Sequence, residues 1–258
     1  MVRALYTAST GMVNQMRRLD VVSNNLANSD TTAYKKEGAT SQSFDQMYAI
    51  KINDATTNYV DQVIGKLSLG VKIGETYTDY SVGNFKETGE TFDLALGENG
   101  FFAISYADKN GNESVKYTRD GSFTINDDGI LMTKDGDFVL ADDNGLITIP
   151  EGTAEVSIDR SGRITADGEE VATLSIVDFE DYDYLKKFGE NMYEPVEGAT
   201  MKESTAGVYQ GYLEMSNVNV VSEMVEMITV QRDYESNQKI IQAVDSTLEK
   251  SVNLGRIS

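Results

Sequence analysis

Near the N-terminus, Leu5, Met12, Leu19 and Leu26 recur every seventh residue, with Ala8 and Val22 following Leu5 and Leu19 on the same face. The spacing predicts an amphipathic helix from about Val2 to Asn28, roughly 40 Å long at about 1.5 Å per residue. Gly11 falls inside it, as a tolerated blemish or a point of close helix approach. The C-terminal stretch repeats the pattern. Val220, Met227, Tyr234, Ile241 and Leu248 form a strict heptad, reinforced by Met224, Ile228, Val244 and Val252. Pro150 and Pro195 lie elsewhere, so a helix runs unbroken from Val218 to Val252, about 52 Å, which is coiled-coil length. Gln231, Gln238 and Asp245 recur along its seam, where buried polar groups cost stability but fix register and partner number.

Between the helices the period changes to two. Aromatic and β-branched runs such as GETYTDY, DLALGENGFFAIS, SVKYTRDGSFTIN, GILMTK, GDFVLA, GLITIP, GRITAD and VATLSIVDF predict short antiparallel strands. The separators NDDG, KDGD, DDNG, DRSG and ADGE put Asp, Asn or Gly where a positive φ is expected, which predicts a hairpin-rich sheet or small barrel. Residues 37–70 look mixed and extended, and Thr200 to Tyr212 looks like a return strand. The fold class expected is α+β: long terminal amphipathic helices packed together as a coiled-coil-like layer, with an inserted antiparallel β domain. The boundaries are 1–36 for the first helix and its turn, 37–74 for an extended connection, 75–205 for the β domain and 206–258 for the last helix.

Charge follows the same partition. The 258 residues carry a net charge of -20, and the stretch Glu75 to Glu203, with 29 acidic against 10 basic residues, holds -19 of it. The acidic middle reads as a solvated body, or as scattered surface charge, while the near-neutral ends approach copies of themselves without large repulsion. Such acidity argues against nucleic acid as a partner. No run of 18 apolar residues predicts membrane insertion, and residues 4–16 lack the apolar core of a secretory signal.

Cysteine and histidine are both absent, which removes thiol nucleophiles, imidazole bases, disulfides and ordinary zinc sites. No G-x-S-x-G, P-loop, G-x-G-x-x-G or H-E-x-x-H motif occurs. The pairs Asp127 with Asp128 and Asp142 with Asp143 have the residue types of a glycosidase acid and base, but their turn-like settings favour a structural role. Asp108 to Arg119 begins like a calcium loop, yet its sixth position is Glu113 and its twelfth Arg119, so it reads as a β-hairpin. No catalytic residue, metal site or cofactor is expected. Met224 and Met227 beside Val225 and Ile228 form an adaptable apolar surface, a core face or an intermolecular one, and the heptad's length favours the latter.

Three separated stretches carry a resemblance. LYTASTGMVNQMRRLDVVSNNLANSDTTAYKK is similar to the signature of the rod and hook axial proteins of the bacterial flagellum, with Ala33 where Gly is usual. DLALGENGFFAI and YTRDGSFTINDDGILMTKDG resemble their shared first-domain segments. YQGYLEMSNVNVVSEMVEMITVQRDYESNQKIIQAVDSTLEK resembles their C-terminal segment, with Ser216, Asn217, Val218, Glu223, Met224, Gln231, Arg232, Tyr234 and Glu235 on expected residue types. The resemblance, closest to rod subunits with an inserted β domain, implies a subunit exported unfolded by the flagellar type III apparatus. It further implies assembly into a hollow helical shaft that transmits torque to the hook, distal rod being favoured over proximal. The partners implied are copies of itself, adjacent rod and hook subunits, the export apparatus and an envelope bushing ring. The place implied is the basal body, in the envelope outside the cytoplasmic membrane.

The assembly face expected combines Leu5, Met12, Leu19 and Leu26 with Val218, Val220, Met224, Met227, Gln231, Arg232, Tyr234, Ile241 and Leu248. The polar corners Ser23, Asn24, Asn25 and Asn28, and Ser216 with Asn217, complete it. Asn28 is expected to close the helix with positive φ. Asn24 and Asn25 are expected to bond the C-terminal helix of the same or a neighbouring copy, or else to cap locally. The competing reading is a secreted binding or adhesive module on a helical oligomerising stalk, with a carboxylate-based glycan hydrolase third.

Overall fold

A computed structural model describes residues 2–51, 62–108, 113–150, 152–153 and 155–255. The chain forms two compact units, one of Met1–Leu26, Glu37–Tyr77 and Val220–Ser258, the other of Ala27–Lys36 and Thr78–Asn219.

In the helical unit, α1 spans Val2–Ala27 and α2 spans Val220–Gly255, each within three residues of the bounds its heptad predicts. The helices run antiparallel. Gln15 Nε2 donates to Asp233 Oδ2 at 3.1 Å, Arg18 pairs with Glu226 at 2.9 Å, and Asn25 Nδ2 donates to Glu223 Oε2 at 3.2 Å. Gly11 is a point of close approach, since a Cβ there would lie 3.0 Å from Asn237 Nδ2. Most side chains of α2 are exposed, and from Asp245 to Gly255 all of them are.

Within 37–74, where an extended connection is expected, the described residues include paired strands. Strand Glu37–Ser43 pairs with Val71–Thr78, and Met47–Lys51 pairs antiparallel with Gln62–Leu67, giving two two-stranded ribbons. The first packs on α1, where Asn14 Nδ2 donates to Ser41 Oγ at 3.0 Å. Weak alternation hid these strands: no side chain of 37–43 or 71–78 is fully buried, so neither strand needs a strict apolar face.

The β unit is built on strand Phe101–Ala107, which pairs with Glu113–Thr118 on one edge and with Phe138–Val139 and Ile176–Phe179 on the other. Both faces of that strand are buried. Phe102 and Ile104 enter a core with Leu94, Leu131, Ile147 and Ile164, whereas Phe101 and Ala103 enter a second with Tyr117, Phe179 and Tyr193. Pairing of Ala107 with Glu113 makes Asp108 to Arg119 a hairpin, although its tip, 109–112, lies outside the described residues. All five separators carry a positive φ: Gly129, Gly136, Asn144, Gly162 and the pair Asp167–Gly168. GLITIP forms isolated bridges instead of a strand, while still burying Ile147 and Ile149 in alternation.

Candidate functional site

The heptad stripe of α1 is only half-buried at Leu5, Met12, Leu19 and Leu26. Its tightest face is instead Ala8, Asn14, Val22 and Asn25, each 5% exposed or less. Small and amide side chains allow closer packing there than leucines do. On α2, Met227, Tyr234 and Ile241 are half-buried, and only Glu223 and Val230 are fully buried. Glu223 lies in the first turn of α2, where the helix dipole favours a carboxylate.

Much of the expected face is solvent-exposed within the chain. Val220, Met224, Gln231, Arg232 and Leu248 are exposed, as are Ser23 and Asn24. Val221, Met224, Val225 and Ile228, at spacings of three and four, form one contiguous apolar stripe that is 49% exposed or more. Gln238 and Asp245 are exposed as well. These positions are not buried within the chain.

Asn25 is the fixed point of the amide-rich corner. Its Oδ1 accepts the Glu37 N–H at 2.9 Å, and its Nδ2 donates to Glu37 O at 2.8 Å as well as to Glu223. One amide thus reads a strand end in both directions and bonds α2 of the same chain. Asn28 does not take the positive φ expected of it; that conformation falls on Ala33, at φ 56°. Asn28 instead accepts from the Thr31 hydroxyl at 3.2 Å, which turns the chain without a left-handed cap.

The β unit holds a charged cluster that sequence periodicity did not expose. Lys35, Arg119 and Glu214 are each 2% exposed or less. Lys35 Nζ donates to Glu214 Oε1 at 2.5 Å and to Ser81 O at 2.7 Å. Glu214 Oε1 also accepts the Gly83 N–H at 2.8 Å, and its Oε2 faces Arg119 Nη1 at 3.7 Å. Arg119 donates to the carbonyls of Gly100 and Glu98 and lies over the Phe101 ring, 5.6 Å from its centroid. Burial pulls the Lys35 ammonium below its ordinary 10.5, outweighing the upward pull of Glu214, and Arg119 lowers it further.

Beside this cluster Asn217 forms a clasp. Its Oδ1 accepts the Lys36 N–H at 2.8 Å, and its Nδ2 donates to Asp79 O at 2.8 Å and to Ser81. The neighbouring Ser216 is buried, with its Oγ accepting the Val218 N–H at 3.3 Å, and Val218 is half-buried. Ser216 and Asn217, expected on an assembly face, thus already serve the chain's own β unit. The only sequence signal for the cluster was charge within apolar runs, as in AYKK, KYTRDG and YLEM; nothing local says that these three meet.

Family models match three separate segments: flagella basal body rod protein at residues 5–35, the flagellar hook protein FlgE/F/G D1 domain at 95–166, and flagellar basal body rod FlgEFG protein C-terminal at 209–254. Each contributes one member of the buried cluster. The chain is 35% identical over 274 residues to flagellar basal-body rod protein FlgG of Bacillus subtilis, covering 99% of this chain and 100% of that one. It is 33% identical over 266 residues to FlgG of Buchnera aphidicola subsp. Schizaphis graminum, covering 97% and 98%. With flagellar basal-body rod protein FlgF of Caulobacter vibrioides the identity is 33% over 252 residues, covering 97% and 96%.

Proposed function

Because the chain belongs to the flagellar basal-body rod and hook family, we propose that it is a structural subunit of the rod, with the distal section favoured over the proximal one. Copies assemble through their terminal helices into a hollow helical shaft that carries torque from motor to hook. The observation behind this reading is the stripe Val221, Met224, Val225 and Ile228, exposed on a helix 36 residues long whose other face already meets α1. Such a stripe is too apolar to be left to water and too narrow to be a core of its own. Contacts between unlike faces of successive copies do not close into a small ring, so assembly continues as a helix.

The further partners are adjacent rod and hook subunits, the type III export apparatus and a bushing ring of the envelope. Folding of the terminal helices is coupled to assembly, which keeps the chain narrow during export. Electron microscopy of basal bodies from a strain lacking this chain tests the placement. A rod truncated short of the hook is expected, and a full-length rod bearing a hook would refute it. Hydrogen exchange on the monomer tests the coupling: strong protection at residues 2–27 and 220–250 would exclude it.

A further inference from the structure

The buried cluster joins residues from three distant parts of the chain, with 179 positions between Lys35 and Glu214 and 131 between Gly83 and Glu214. Two cations and one carboxylate are enclosed, with the exposed Asp79 adding a weaker attraction to Lys35 from outside. Without Glu214, closing the second core would bury the Arg119 guanidinium against Phe101 with carbonyl partners alone, and would enclose Lys35 with only Ser81 O. An uncompensated buried charge is among the costliest features a core can hold. Backbone ties converge on the same place. Ala33 N–H donates to Glu214 O at 2.8 Å, Met215 N–H to Asn84 O at 2.8 Å, and Asn217 N–H to Tyr34 O at 3.4 Å.

We propose that Lys35, Arg119 and Glu214 form a charge lock that makes closure of the β unit conditional on arrival of its C-terminal flank, residues 207–219. The acidic strands of the middle do not complete their packing ahead of the flanks. The unit instead closes in one step when Glu214 enters between the two cations. The β unit therefore stays open until residues 207–219 are available. The lock is a property of one chain and holds whatever the chain assembles into, so its failure would leave the rod reading untouched.

Pulsed hydrogen exchange during refolding of the full-length chain tests it. In the wild type, amides of Phe101–Ala107 and Glu113–Thr118 are expected to gain protection with the same rate constant as those of residues 33–36 and 208–217. In the charge-free variant Lys35→Met/Arg119→Met/Glu214→Met, the central strands are expected to gain protection at least about tenfold ahead of the flanks, because apolar replacements remove the penalty for early closure. Glu214→Asp, which keeps the charge, is expected to retain the single step. Central strands protected well before the flanks in the wild type would overturn the proposal, and that measurement needs no variant to fold. An unchanged single step in the charge-free variant would overturn it equally.

Discussion

The three members of the cluster are not equivalent, and their removal should rank accordingly. Glu214→Gln keeps the volume but deletes the enclosed carboxylate, leaving an ammonium and a guanidinium, each 2% exposed or less, with no buried anion among the described cluster residues. Breaking a buried ion pair from one side costs about 3–5 kcal/mol, a large fraction of a domain's total stability of about 5–15 kcal/mol. Lys35→Met deletes a charge whose burial already works against it, and leaves Arg119 facing Glu214 Oε2 at 3.7 Å with Gly83 N–H still bonded to Oε1. That variant should cost no more than about 2 kcal/mol, the balance of two lost hydrogen bonds and a relieved desolvation. Urea denaturation of the monomer, followed by a probe in the β unit, measures both. A pH signature accompanies them. Burial holds Lys35 below its ordinary 10.5, so between the two values the unfolded chain binds the proton more tightly and wild-type stability rises with pH. Lys35→Met lacks that rise, and its deficit against the wild type should widen as pH climbs towards 10.5. Equal destabilisation by both variants, or a larger loss from Lys35→Met, would refute the reasoning.

A Cβ at Gly83 would lie 2.0 Å from Met215 O, a backbone atom, so Gly83→Ala should cost about 3 kcal/mol by thermal melting and disturb the Glu214 contact. Ala33 holds φ 56° while 2% exposed. Ala33→Gly should therefore change stability by less than about 1 kcal/mol, released strain offsetting a lost methyl, whereas Ala33→Val should lose at least about 2 kcal/mol. Asn25→Ala removes three hydrogen bonds, one to a carboxylate, and should weaken the helix-to-ribbon joint by about 3 kcal/mol; unchanged amide exchange at 20–27 in assembled rods would contradict this. Burial and the neighbouring Asp135 raise the Asp137 carboxyl above its ordinary range, so the folded state disfavours its ionised form. Asp137→Asn should then raise stability at pH 7, and the gain should vanish as pH falls through the carboxylate range.

What the sequence made legible was whatever is encoded locally. Heptads located α1 and α2 within three residues, since a sustained apolar period leaves few alternatives to a helix. All five turn motifs were found because positive φ demands Gly, Asn or Asp. Failures came where no local rule applies. The strands 37–43 and 71–78 carry no fully buried side chain and so little alternation. Asn28 was a reasonable left-handed residue by type, yet the chain turned through the Thr31 hydroxyl and placed the positive φ at Ala33, the position where the resemblance has Gly.

The cluster was invisible for a deeper reason. A charged residue next to apolar neighbours reads as a strand's solvent face, and only a partner over a hundred residues away converts it into a buried one. Lys35 ends the first family-matched segment, Arg119 lies in the second and Glu214 in the third. The sheet and turns around the cluster tolerate apolar substitution of similar volume. An ion cluster is less forgiving, because its two cations are costly without the carboxylate between them. Three matched segments far apart along the chain thus meet at one buried point, where two cations share a carboxylate.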